Sequence, residues 1–192
     1  MSSGIDGGER FQPATLADWR DWLAANHTRT AGVWLVTRKA SAPGPSIGYE
    51  ESVEQALCFG WVDSKGRSLD AERTMLWFAP RKRGSGWART NKERIERLTA
   101  AGLMAPAGQA VIDAAKADGS WTLLDDVENL VVPDDLAAAF AAHPPAREHW
   151  DAFPRSARRA TLEWIAQAKR AETRAKRVAE AAEKAQANER AR

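Results

Sequence analysis

The sequence holds one cysteine, one tyrosine and three histidines. A lone thiol, Cys58, cannot form a disulfide within the chain, which fits a reducing compartment. Residues 1–8 lack the charged and apolar regions of a secretory signal. No stretch approaches the roughly 20 apolar residues of a membrane-spanning helix. A cytoplasmic location without a membrane span is therefore expected. His27, His143, His149 and Cys58 match no metal-ligand spacing, so neither a metal nor a cofactor is expected. The G-x-x-x-x-G-K-[ST] pattern is missing, which excludes a P-loop. No recognition-helix pattern, RNP1 aromatics or GXXG loop marks a nucleic-acid module.

Tryptophan is what the chain has in excess, with nine in 192 residues. Trp is bulky and carries an N–H that needs a partner when buried. Nine of them point to a Trp-rich core, an aromatic groove, or both. The net charge is only +2, but it is unevenly spread. Residues 65–97 carry 10 Lys/Arg against 4 Asp/Glu, residues 110–151 carry 2 against 9, and residues 155–192 carry 11 against 5. Two basic segments flank an acidic one. They either neutralise each other in the fold or display basic patches to a polyanion.

Residues 1–10 are Gly/Ser-rich and read as a disordered N-terminus, in a polar stretch that runs to residue 12. Thr15-x-x-Asp18 resembles a capping box, and Leu16, Trp19, Trp22 and Leu23 share one helical face behind it. Residues 33–39 read as a strand, 49–58 as a helix, 61–63 as a short strand before a turn at Lys65-Gly66, and 73–79 as another strand. Residues 86–101 read as a helix with Trp87, Asn91, Ile95 and Leu98 on one side. Helices are expected at 107–117 and from Pro133 to the break at His143-Pro-Pro145. From Arg155 onward no Gly or Pro interrupts a helical pattern. Beyond Val178 the apolar positions are all Ala, so little is expected to hold residues 181–192, a frayed or disordered tail. The expected fold is α+β. A small antiparallel sheet of about three strands covered by helices fills residues 11–104, and a helical region follows over 105–180, ending in a long basic helix.

The candidate sites follow from charge and loop chemistry. Arg81, Lys82, Arg83, Gly84, Ser85 and Gly86 lie just before a predicted helix. Glycines let backbone N–H groups approach an oxyanion, and a helix start and arginine forks add donors. Read without a ligand, the same loop is a connection with Ser85 as N-cap. Cys58, Asp63 and Ser64 gather near a strand end. A nucleophilic thiol needs a base, and none is identifiable nearby, so Cys58 reads as a packed small hydrophobe. Asp63 is the one weak catalytic candidate. Lys169, Thr173 and Arg177 fall four apart on a predicted helix, a face able to track phosphates or to be solvated through pairs with Glu172 and Glu180. Trp61, Trp77 and Trp87 interleave with cations as a stacking platform would. Trp at strand and helix spacing more often packs inward.

Several segments together carry a resemblance. They include Tyr49-Glu-Glu-Ser-Val-Glu-Gln-Ala-Leu-Cys-Phe-Gly-Trp-Val-Asp-Ser64, Phe78-Ala-Pro-Arg-Lys-Arg-Gly-Ser-Gly-Trp-Ala-Arg-Thr-Asn-Lys92, Val132-Pro-Asp-Asp-Leu136 and the basic run over 168–177. From about residue 11 to 180 the chain resembles the YdeI/OmpD-associated, or bacteriocin-protection, family of bacterial proteins. The resemblance implies a small α+β protein linked to tolerance of bacteriocins or cationic antimicrobial peptides. The residues it carries over are Trp61, Asp63, Ser64, Arg81, Ser85, Trp87, Asn91, Lys92, Lys169, Thr173 and Arg174, with Arg83 added from the loop. The expected function is a non-enzymatic binding protein for an anionic ligand or a protein partner at residues 81–92. The alternatives are a nucleic-acid-associated stress protein and an enzyme using Asp63 as acid/base in a Trp-lined pocket.

Overall fold

The computed structural model describes residues 7–192. The expectation of disorder over 1–10 lies outside the described residues for 1–6. The chain divides into two compact units, Met1–Gly84 with Thr90–Asp118, and Ser85–Arg89 with Gly119–Arg192.

The first unit is a four-stranded sheet with helices. Strand β1 (Arg10–Phe11) leads to helix α1 (Leu16–Asn26), then β2 (Val33–Arg38), α2 (Tyr49–Cys58), β3 (Trp61–Ser68), β4 (Arg73–Pro80), α3 (Arg89–Ala100) and α4 (Pro106–Ala117). The sheet order is β1-β2-β4-β3, with β1 parallel to β2 and the other pairs antiparallel. The fourth strand, β1, falls in the polar stretch read as disordered. Its backbone is recruited by β2, where Trp34 N–H donates to Glu9 O at 2.8 Å, and Phe11 stacks on Trp22 with ring centroids 5.5 Å apart.

The capping box forms as the sequence predicts. Asp18 N–H donates to Thr15 Oγ1 at 3.2 Å, and Thr15 N–H donates to Asp18 Oδ2 at 2.8 Å. Trp19 and Leu23 then bury against the sheet side carrying Phe78, whose ring lies 5.3 Å from that of Trp19. Trp19 Nε1–H donates to Ser52 O at 3.1 Å, so the indole N–H is satisfied inside the core. Helix α2 ends at Gly60, whose φ of +77° suits glycine, and a Cβ there would stand 2.6 Å from Val111 Cγ2. One turn earlier in α4, a Cβ on Gly108 would run into the carbonyl oxygen of Cys58.

Two boundaries differ from expectation. The turn expected at Lys65-Gly66 is instead strand, and β3 runs on to Ser68. A β-bulge between Asp63 and Gly66 absorbs one extra residue, and the real turn is fixed by Asp70, whose Oδ1 accepts from Glu72 and Arg73 N–H at 3.0 and 2.7 Å. Helix α3 begins at Arg89 rather than 86. Gly86 packs where a Cβ would stand 2.7 Å from Leu124 Cγ, and Trp87 is buried with its ring 5.0 Å from that of Trp121.

The second unit is helical, with α5 (Asp125–Glu128), α6 (Asp134–Ala142), α7 (Ala146–Ala152), α8 (Arg155–Ala166) and α9 (Ala171–Gln186). The uninterrupted helix expected from Arg155 is two helices with a break over 167–170. Packing supplies the reason. Ile165 and Ala182 share one hydrophobic core, whereas a straight helix would hold them about 25 Å apart. The tail read as frayed is docked through residue 186. Ala181, Ala182 and Ala185 are buried, because alanine lets the helix backbone approach its neighbours closely.

Candidate functional site

A cleft of about 540 Å³ opens on the helix-covered side of the sheet in the first unit. Leu35 and Thr37 of β2 and Thr74 and Leu76 of β4 line its floor. Asp63, Ser64 and Gly66 of the edge strand β3 form one wall, and Tyr49 and Ser52 at the start of α2 form the opposite wall. The connection over 39–48 closes one end with Ile47. A second hollow of about 280 Å³ shares Thr37, Arg38, Ser46 and Ile47 with it, so this connection separates the two.

Strand register explains why a carboxylate faces inward here. Asp63 pairs with Phe78, and Phe78 is fully buried on the helix side. Successive side chains alternate between faces, so Asp63 shares the side of Phe78. The bulge then re-phases β3 and sets Gly66 opposite Leu76. Glycine leaves open space at that point, since a Cβ there would find nothing nearer than Leu76 Cδ1 at 3.8 Å.

Tyr49 Oη–H donates to Asp63 Oδ2 at 3.0 Å. Burial, then the charge of Asp63 and that hydrogen bond, push the phenol pKa above its ordinary value, so Tyr49 is a neutral donor at neutral pH. Among the described residues Tyr49 is the hydrogen-bond partner found for Asp63, and no ion pair to Asp63 is found. Two cations, Arg38 and Lys39, also line the cleft, and each donates to a backbone carbonyl. Arg38 Nη1–H donates to Pro43 O at 2.9 Å, and Lys39 Nζ–H donates to Asp70 O at 2.6 Å.

The residues singled out in the sequence are divided between the two units. Asp63 and Ser64 meet in the cleft, but no Trp is among its lining residues, so the pocket around Asp63 is not the Trp-lined one expected. Trp61, Trp77 and Trp87 are 0%, 7% and 2% exposed, which removes them as a stacking platform. Arg81 is half-buried at the end of β4, and burial lowers its pKa to about 10. Arg83 is exposed, with Nε 3.5 Å from Asp118 Oδ2. Ser85 and Trp87 belong to the second unit, while Arg81, Arg83, Asn91 and Lys92 belong to the first. Ser85 does not cap α3, which begins four residues later. Asn91 Oδ1 accepts from Arg94 at 2.8 Å, and Arg94 in turn forks onto both oxygens of Glu50. Asn91 thus helps to fasten α3 to α2.

In the second unit, Lys169 precedes α9 instead of sharing a helical face with Thr173 and Arg177. Arg174 makes a two-pronged contact with Asp135 at 2.7 and 3.0 Å. Arg177 donates to Trp164 O and lies over the Trp164 ring. Lys176 pairs with Glu172 at 2.8 Å, as the solvated-face reading of this segment supposes.

Cys58 is buried, and desolvation pushes its thiol pKa up against a smaller opposing effect of Arg20. The Nδ1 atoms of His27, His143 and His149 each lie 2.8–2.9 Å from a backbone carbonyl oxygen. Among the described residues no group of three or more His, Cys, Asp or Glu is placed to hold a metal. No helix among them is long and apolar enough to cross a membrane.

The cleft residue that the sequence did not single out is Tyr49. Its one signal was being the lone tyrosine at a helix start after Gly48; its meeting with Asp63 depends on strand register.

Residues 11–111 match the family described as Domain of unknown function (DUF8412), a span that contains every residue of the cleft. Residues 129–188 match the family described as Bacteriocin-protection, YdeI or OmpD-Associated, and lie within the second unit. No curated protein and no solved structure matches the chain.

Proposed function

This chain belongs to the family described as Domain of unknown function (DUF8412) and carries a bacteriocin-protection, YdeI or OmpD-associated region behind that domain, and from that premise we propose that it is a cytoplasmic binding protein that holds a small molecule between Tyr49 and Asp63. The observation that carries this reading is the cleft. Its volume of about 540 Å³ falls within the roughly 300–1,000 Å³ of small-molecule sites. Leu35, Ile47 and Leu76 give it apolar surface, and the hydrogen-bonded pair Tyr49–Asp63 stands among the polar residues of its lining. Apolar surface gives a small ligand affinity, and placed polar groups orient it. The bacteriocin-protection description supplies the setting: the bound molecule serves tolerance, directly or as a signal.

We take the role to be binding: Cys58 is held as a buried thiol with a raised pKa and offers no nucleophile. The cleft, and not the basic loop, is the place we propose for the ligand. A ligand-observed NMR screen of small metabolites tests this, run on the wild type and on Thr37→Trp, which fills the cleft floor. Thr74→Trp serves in its place should the first variant melt early. Hits lost in the filled variant support the proposal. Hits that bind both proteins alike, or no hits at all, overturn it.

A further inference from the structure

Resting on the reading of the cleft as a ligand site, we propose that its ligand is an organic ammonium ion, with an aliphatic chain on the cleft floor and its charged head on Asp63. The argument begins with what surrounds the carboxylate. Tyr49 donates its proton to Oδ2, which leaves Oδ1 and the phenolic oxygen able to accept from a ligand. No ion pair to Asp63 is found among the described residues. Arg38 Nη1–H donates to Pro43 O and Lys39 Nζ–H to Asp70 O, and neither cation is found paired with Asp63. Asp63 thus lines a partly enclosed space with Tyr49 as the hydrogen-bond partner found for it among the described residues.

An ammonium group answers each of these features. It offers three N–H donors to the acceptors that Asp63 and Tyr49 present. A charge-assisted hydrogen bond to a carboxylate is roughly twice as strong as a neutral one. A ligand carboxylate in the same place would meet Asp63 charge to charge, and a neutral alcohol would forgo the ion pair. Behind the head, Leu35, Ile47 and Leu76 supply the apolar bed. Ile47 and Leu76 are only half-buried in the empty cleft, so an alkyl chain gains burial by covering them. Gly66 opens the path between head and chain, since it places no side chain over Leu76.

The same chemistry is offered by a free alkylamine and by a lysine side chain, and two probes separate these sources. Calorimetric titrations would use n-hexylamine, n-hexanol and n-hexanoate, together with Nα-acetyl-lysine methylamide. n-Hexylamine is expected to bind at least about tenfold more tightly than n-hexanol, with n-hexanoate weakest. Asp63→Asn is expected to remove that preference by weakening n-hexylamine to about the affinity of n-hexanol, and a Tm at the wild-type value shows that the variant is folded. Comparable Asp63-dependent binding of the lysine derivative points to a peptide side chain as the source, and its absence points to a free amine. Equal binding of amine and alcohol, both lost in Thr37→Trp, overturns the ammonium assignment but leaves the cleft as a ligand site. Failure of all four probes to bind overturns the assignment, and the cleft reading falls only if the metabolite screen is also empty.

Discussion

Tyr49 reaches from the first turn of α2 to the edge strand β3 and donates its phenolic proton to Asp63 Oδ2 across 3.0 Å. The bond joins two elements that the chain visits 14 residues apart, and it sits at the cleft mouth, where Tyr49 remains 54% exposed. An inward-facing carboxylate on a bulged edge strand also discourages pairing with another sheet. The Asp63–Tyr49 contact therefore guards an edge and furnishes a polar anchor at once.

Because Tyr49 is the only tyrosine, tyrosinate absorbance during an alkaline titration reads this one contact. The wild-type midpoint is expected above the ordinary value near 10, with burial as the largest cause and Asp63 next. Asp63→Asn should bring the midpoint part of the way back, since the charge is gone and the burial remains. The sign for stability follows. A phenol whose pKa is raised on folding favours the native state below pH 10, and that contribution is lost as pH rises through the folded value. An unchanged midpoint in Asp63→Asn would mean that the two side chains do not interact in solution.

The second unit carries an acid-sensitive pair. Glu128 Oε1 accepts from Arg159 Nη2–H at 2.9 Å, with the Glu128 side chain 16% exposed. That hydrogen bond is the main reason the Glu128 pKa is lowered, and Arg174 lowers Asp135 in the same way. Depressed carboxylates contribute stability that is complete above about pH 5 and is lost as pH falls through their folded values. Thermal melts between pH 7 and pH 3 should show that decline. Arg159→Ala should lower stability at pH 7 by about 1 kcal/mol and make the acid-side decline shallower. The decline should not vanish, because Asp135, Glu9 and Asp70 stay depressed. A variant with the wild-type slope would remove Glu128 from the account.

Local signals in the sequence were enough wherever a backbone rule acts within a few residues. The capping box at Thr15 and Asp18, the apolar run of β2 and the glycine at the end of α2 are of this kind. Long-range packing decided the rest. The bulge after Asp63 answers to the partner strand, so a Lys65-Gly66 turn looked reasonable until β4 fixed the register. Helix α3 starts late because Gly86 and Trp87 pack on Leu124 and Trp121, more than 30 residues away. The cleft was half legible: Asp63 and Ser64 stood out as polar residues after an apolar run, whereas Tyr49 had no pattern to mark it.

The alanine-rich end of α9 offers the sharpest contrast between composition and packing. Composition predicts that residues beyond Val178 fray, since alanine buries little area. In the fold, Ala182 is 0% exposed and Ala185 1%, while Ala185 O lies 2.8 Å from His149 Nδ1 and Gln186 Nε2–H donates to Pro144 O at 3.1 Å. Small side chains here are a condition of close helix approach, so the site should resist enlargement. Ala182→Leu is expected to cost about 1–3 kcal/mol by overpacking, which lowers Tm by roughly 3–10 °C for a chain of this size. Ala179→Leu, on the exposed side of the same helix, has nothing to displace and should leave Tm nearly unchanged. Thermal melts of the two variants decide the matter: a large difference requires a docked α9, and equal, small shifts would return the tail to the frayed state that its composition suggests.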